Sequence, residues 1–261
     1  GGADMAMAFL DGAAARDRWR GLVAQLYPPQ CMLCGALVEG GAHRLCATCW
    51  REVAFLSGLV CESCGIALPG DGPGPVHCDD CLARPKPWMR GRAAIAYKGA
   101  GRQLILGFKH GDRTDLAPAL GAWVAQAARP IAADRGDLLI VPVPLHWRRL
   151  ALRRYNQAAL LARAAAGLLG AAHCPDLLIR TRPTPVLEGH SRAARHATLD
   201  GAIRPHPRRA GLARGRAVLL IDDVMTTGAT LSAAAEALRA AGAERVDVAV
   251  LARVAPDRAL P

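Results

Sequence analysis

The segment richest in chemistry runs Val218-Leu219-Leu220-Ile221-Asp222-Asp223-Val224-Met225-Thr226-Thr227-Gly228-Ala229-Thr230. An apolar strand ends in two acids, a loop of mostly small residues follows, and a helix opens near Ala229. Binding a phosphate needs several backbone N–H groups converging on one anion. Thr227, Gly228 and Ala229 are small enough to allow that approach. Thr226, Thr227 and Thr230 add hydroxyl donors, and the helix contributes free N–H groups and the positive end of its dipole. Asp222 and Asp223 would repel a phosphate, so they need another task. Carboxylates accept well from the two hydroxyls of a ribose, and Mg²⁺ is a second partner. The plain alternative is that both acids serve the helix N-terminus; the complete string favours the anion site.

A second chemical signature lies earlier. Eight of nine cysteines fall as four pairs, each with two residues between: Cys31/Cys34, Cys46/Cys49, Cys61/Cys64 and Cys78/Cys81. Such pairs form knuckles in which both sulfurs reach one metal, and eight thiolates make two tetrahedral Zn²⁺ sites. Gly35 and Gly65 follow the second cysteine of a pair, where a knuckle turn calls for positive φ. Sequential pairing gives Cys31, Cys34, Cys46 and Cys49 as one site and Cys61, Cys64, Cys78 and Cys81 as the other; crossed pairing fits the spacing too. A disulfide scaffold suits a small secreted domain better, redox dithiols usually occur singly, and iron–sulfur ligation is a further alternative. His77, beside Cys78, is a substitute ligand. With four thiolates each, both sites have no open position for water and read as structural. Large apolar residues are few here, so metal binding supplies much of the folding energy, about 10–16 kcal/mol per site in small zinc modules. Cys174 reads as an inert, partly buried residue.

The elements that must position these groups follow from the pattern. Residues 5–26 have a helical rhythm that ends at Pro28-Pro29, giving a leading helix over 1–28. A double ribbon follows over 29–83, then a short basic linker over 84–92. Beyond it, strands are expected at Ala93–Tyr97, Leu138–Val143, Leu177–Ile179, Ala217–Ile221 and Arg245–Ala252. Helices are expected at Arg102–Phe108, Leu116–Ala128, Arg154–Leu169 and Ala229–Ala241. Apolar strands alternating with helices indicate an α/β domain over 93–261 with a mainly parallel sheet. Its ligand site belongs at the carboxyl ends of the strands.

Together, the cysteine pairs and the loop resemble the ComF family, which joins a double zinc ribbon to a type I phosphoribosyltransferase fold. Tyr97-Lys98-Gly99, Phe108-Lys109-His110-Gly111-Asp112, Pro142-Val143-Pro144-Leu145-His146 with Arg148, and Arg154-Tyr155-Asn156-Gln157 match as well. The resemblance implies that Asp222 to Thr230 bind the ribose and 5-phosphate of PRPP (5-phosphoribosyl 1-pyrophosphate), and that Mg²⁺ accompanies it. Leu145, His146, Arg148 and Arg154 would lie at the pyrophosphate, with Lys109 facing the same site, so that Asp222, Asp223, Arg148 and Lys109 are the candidate catalytic groups. Guanidinium forks suit polyphosphate oxygens. Residues from Arg180 to Ile203 resemble a hood over the ligand, with Arg192 and Arg195 in the family spacing. Pro185 and Thr198 depart from the pattern there and put acceptor specificity in doubt.

The resemblance favours a competence-associated protein of DNA uptake that binds PRPP or a ribose 5-phosphate nucleotide. It implies contact with single-stranded DNA, a helicase-like ATPase and recombination proteins. The alternatives are an active transferase acting on a nitrogen acceptor, and a structural adaptor whose ligand site has lapsed. Charge is compatible with strand contact: residues 1–82 carry five Arg/Lys and nine Asp/Glu, a balance of −4, and residues 83–261 carry twenty-eight and thirteen, a balance of +15. Aromatics are only 4% of the chain, which argues against a base-stacking track. No apolar run reaches the roughly 18–20 residues of a membrane span, and the start lacks a signal-peptide pattern. The chain reads as cytoplasmic, attached to the inner membrane at most through partners. Its first residue, Gly1, suggests a trimmed or engineered start.

Overall fold

The computed structural model describes residues 28–38, 44–72, 74–110, 113–133, 136–145, 155–182 and 201–255. The expected leading helix lies outside the described residues. The chain divides into two compact units, Gly1–Arg51 and Glu52–Pro261.

The first ribbon belongs to the first unit. Gln30 bridges Leu37, Cys31 N donates to Ala36 O (2.7 Å), and Gly35 N returns to Cys31 O (3.0 Å). Gly35 takes φ +75°, as the knuckle requires. The second cysteine pair opens helix α1 (Ala47–Glu52), whose buried residue is Cys49.

The second ribbon repeats this construction in the second unit. Val60 bridges Ala67, Cys61 N donates to Ile66 O (2.8 Å), Gly65 N returns to Cys61 O (2.8 Å), and Gly65 takes φ +68°. Its second pair opens helix α2 (Asp79–Ala83), which buries Cys81. The motif is local, so the same spacing folds the same way twice.

The rest of that unit is a sheet flanked by helices. In chain order it comprises β1 (Gly91–Ala96), α3 (Gly99–His110), α4 (Ala117–Ala132), β2 (Leu138–Pro142), α5 (Gln157–Leu169), β3 (Ala172–His173), β4 (Leu178–Arg180), β5 (Ile203–Pro205), β6 (Ala217–Met225), α6 (Ala229–Ala240) and β7 (Arg245–Arg253). The sheet order is β1-β7-β6-β2-β3, and every pairing is parallel. The strands read as continuous apolar runs because both faces are covered. Eight of the nine residues of β7 are buried. Each large side chain so buried contributes about 1.5–3 kcal/mol. On one face α4 and α5 pack together, with α4 against β1 and β7 and α5 against β6 and β2; on the other, α6 covers β6 and β7. Asn156 caps α5 by accepting from Ala158 N (3.1 Å), and Gly170 closes it at φ +63°.

Two differences from expectation concern the site. The central strand was expected to end at Ile221; β6 runs on to Met225, because Val224 and Met225 pair with Ala252 and Arg253 of an equally long β7. Backbone pairing is indifferent to the polarity of Asp222 and Asp223. Residues 84–92, expected as a linker, are anchored: Met89 N donates to Val246 O (2.9 Å), Val248 N donates to Arg90 O (2.9 Å), and Trp88 is buried. The expected hood is entered and left through the antiparallel pair β4–β5; residues 183–200 lie outside the described residues.

Candidate functional site

Asp222 and Asp223 sit near the carboxyl end of β6, a central strand of the sheet. The loop after Met225 turns at Gly228, whose φ of +81° lets it cap α6 from the left-handed region. Ala229 N points back to Thr227 Oγ1 (3.3 Å). The loop is thus a short turn delivering the chain into a helix N-terminus. Its residues range from the exposed Thr226 to the buried Ala229.

Asp222 accepts from Asp223 N (2.8 Å). Burial, and then the neighbouring charge of Asp223, push its carboxyl up to about 7 from the ordinary 3.8, against the opposing charges of Lys109 and Arg180. Lys109 Nζ lies 3.0 Å from Asp223 Oδ2. Two acids and one lysine, with the charge of Arg180 acting on Asp222, therefore share one partly sheltered place. Lys109 is held there by its own backbone: Tyr155 Oη donates to Phe108 O (2.9 Å) and Gln157 Nε2 donates to Lys109 O (3.5 Å). Between those two residues, Asn156 Nδ2 donates to Val143 O (3.1 Å), and Val143 N donates to Ile221 O (2.9 Å). The Tyr155-Asn156-Gln157 string thus ties the end of α3 and the end of β2 to the strand that carries the acids. Leu145 follows β2, whose Pro142 is in register with Ile221, so it lies at the same sheet edge. His146, Arg148, Arg154, Arg192 and Arg195 lie outside the described residues.

Two residues missed from sequence support the loop. Arg253, buried at the end of β7, donates Nη1 to Thr226 O (2.7 Å), Met225 O (3.2 Å) and Val254 O. A charge directly after the apolar run Val248–Ala252 was the signal available for it. Trp88 lies behind Gly228: a Cβ there would meet Trp88 Cη2 at 3.1 Å. Nothing in the local pattern around Pro85 and Pro87 marks that role.

The thiols assemble sequentially. Cys31, Cys34, Cys46 and Cys49 form one group and Cys61, Cys64, Cys78 and Cys81 the other, with all ligand atoms of a group within 4.8 Å of one another. Cys34 Sγ and Cys46 Sγ are 3.7 Å apart, and Cys64 Sγ and Cys78 Sγ 3.8 Å. Backbone N–H groups face the sulfurs, as from Cys78 N to Cys61 Sγ (3.3 Å). Hydrogen bonds from Cys64 and then Cys81 pull the Cys61 thiol well below its usual range, and bonds to Cys61 and Cys64 push Cys81 far above it. Four crowded thiols cannot all ionise unless a cation sits among them, so the donor set fits Zn²⁺. His77 is not a member of either group; its Nδ1 pairs with Ser63 Oγ (2.9 Å).

A parallel α/β domain with a strand–loop–helix site, bearing two four-cysteine ribbons, is the class of protein defined here. The families described as "Double zinc ribbon domain" and "Phosphoribosyl transferase domain" match residues 22–82 and 156–261. The chain is similar to "DNA utilization protein YhgH" of Salmonella typhi, 32% identical over 87% of this chain and 97% of that protein. "Competence protein F" of Haemophilus influenzae is 30% identical over 86% and 96% respectively, and "Competence protein ComFC" of Bacillus subtilis 26% identical over 75% and 78%. The chain belongs to the ComF family. Among the described residues, no helix is long and apolar enough to cross a membrane.

Proposed function

We propose that the protein binds PRPP, or a ribose 5-phosphate nucleotide, at the carboxyl end of β6 and acts in the uptake or use of DNA. The reading is carried by the juxtaposition of a glycine-turned helix N-terminus with the Asp222, Asp223 and Lys109 cluster. Thr226 to Thr230 would hold the 5-phosphate through backbone N–H and hydroxyl groups. Asp222 and Asp223 would accept the ribose hydroxyls, and Lys109, with Leu145, His146, Arg148 and Arg154, would face the pyrophosphate. Bound Mg²⁺ would offset charge on that pyrophosphate. The names of the relatives supply the DNA context, and the positive balance of residues 83–261 suits contact with a nucleic-acid backbone.

Calorimetry with PRPP and Mg²⁺ tests the site. The parent is expected to bind, and Asp222→Asn/Asp223→Asn to bind at least about 100-fold more weakly, since each charge-assisted hydrogen bond contributes about 1.5–3 kcal/mol. A folded parent that releases no heat would leave the adaptor reading. Pyrophosphate release on incubation with a panel of purines, pyrimidines and orotate would make the protein a transferase.

A further inference from the structure

We infer that the second zinc ribbon is a positioning element for the phosphate loop, acting through Trp88. The role assigned to the loop rests on the proposed phosphate site; the coupling rests on geometry.

The second ribbon is built into the sheet. Gly91 N donates to Glu62 O (2.7 Å), and the Glu62 carboxylate receives both Arg90 Nε and Arg92 Nη2 at 2.6 Å. There is no room for a side chain at the join: a Cβ on Gly65 would come within 2.7 Å of Ala93 N, and one on Gly91 would strike Ser63 O. Cys61, Cys64, Ile66 and Cys81 share one apolar cluster with Val218 and Leu220 of β6, Val248 of β7 and Leu231 of α6.

One side chain leads from this join to the loop, and a second holds the loop from the end of β7. Trp88, 5% exposed, donates Nε1–H to Ser63 O (2.6 Å), inside the Cys61–Cys64 knuckle. The far edge of the same ring backs Gly228, the left-handed residue that caps α6. One rigid ring thus spans from metal knuckle to loop glycine. Arg253, also 5% exposed, holds the carbonyls of Met225 and Thr226 and has no carboxylate partner among the described residues. Those backbone carbonyls compensate the buried cation. Zinc at this site would fix the knuckle on which Trp88 hangs. By linkage, a ligand that favours the ordered loop must tighten zinc at the second site by the factor by which that zinc tightens the ligand.

The experiment compares the parent, Trp88→Leu and Trp88→Phe as full chains with two zinc ions bound, confirmed by metal analysis. Amide exchange of the peptide over 224–231 is followed, with PRPP affinity measured in parallel. Trp88→Leu is expected to exchange at least about tenfold faster there and to bind PRPP about tenfold more weakly, with Trp88→Phe, which keeps a ring but lacks the N–H that Ser63 O accepts, recovering only part of both. If Trp88→Leu fails to hold two zinc ions, the parent and Trp88→Phe decide by chelator titration: saturating PRPP should retain one of the two ions and not the other. Unchanged exchange at 224–231, or equal loss of both ions under bound PRPP, would overturn the coupling while leaving the phosphate site standing. Faster exchange in a series whose parent binds no PRPP would support the coupling and remove the phosphate reading instead.

Discussion

The two zinc ribbons are built from the same turn and differ in what they are built into. Gly35 and Gly65 occupy equivalent knuckle positions with φ of +75° and +68°. Nothing lies within 4 Å of a Cβ added at Gly35, whereas one at Gly65 would run into the backbone of Arg92 and Ala93. Of the first thiol set, Cys34 is exposed; of the second, Cys61 and Cys64 are fully buried in the apolar cluster that also contains the central strands. A repeated metal motif has thus produced a module within the first compact unit and an integral part of the second. Metal binding is folding energy in both, but in the second ribbon that energy is shared with a whole sheet.

The largest expected effect is on metal loss. Cys61→Ser/Cys64→Ser should remove one zinc ion and abolish the cooperative thermal transition of the α/β domain, since about 10 kcal/mol of site energy exceeds much of a domain's net stability. Cys31→Ser/Cys34→Ser should also remove one ion yet leave that transition in place. Circular dichroism with zinc stoichiometry reads both, and equal melting of the two variants would break the comparison.

The glycines sharpen it at a lower magnitude. Gly65→Ala combines left-handed strain with a backbone clash and should destabilise the domain by about 3 kcal/mol or more in denaturant unfolding. Gly35→Ala meets open space and should cost only the strain, about 1 kcal/mol.

A smaller effect of opposite sign is expected at the ligand site in the same unit. The Asp222 carboxyl is raised to about 7 by burial and by Asp223. The folded state therefore holds a proton that the unfolded chain releases near 3.8, and the site costs stability increasingly as pH rises from about 4 to 7. Asp222→Asn should be as stable as the parent below pH 4 and progressively more stable than it from pH 4 to pH 8, even though it is expected to bind PRPP poorly. Unfolding midpoints of the pair across pH 4–8 check this; a constant difference would place Asp222 in water rather than in a desolvated site. A difference that grows with pH makes the second ribbon the region that stabilises a sheet carrying a costly carboxylate pair.

Much of this was legible in the residues. Four Cys-x-x-Cys pairs, two of them followed by glycine, predict knuckles, and both glycines take positive φ. The string from Val218 to Thr230 predicts strand, loop and helix in that order, and α6 starts at Ala229 as expected. Boundaries were less legible: β6 continues past its acids because β7 lies alongside to pair with them. Lys109 was expected to face the site, but its pairing with Asp223 depends on Tyr155 and Gln157 holding the end of α3. Trp88 follows Pro85 and Pro87 in a stretch that reads as linker, and only its three-dimensional neighbours give it a task.

By itself, the sequence determined what is encoded by short spacing: the metal knuckles, the left-handed glycines, and the turn of small residues leading into a helix. Such features arise from contacts a few residues apart, so neighbours along the chain suffice to specify them. Tertiary structure alone decided which thiols share a cluster, that the second ribbon joins the sheet, and that Trp88 and Arg253 stand behind the loop. Those outcomes depend on packing and on charge compensation between segments distant in the chain, and no local pattern carries that information.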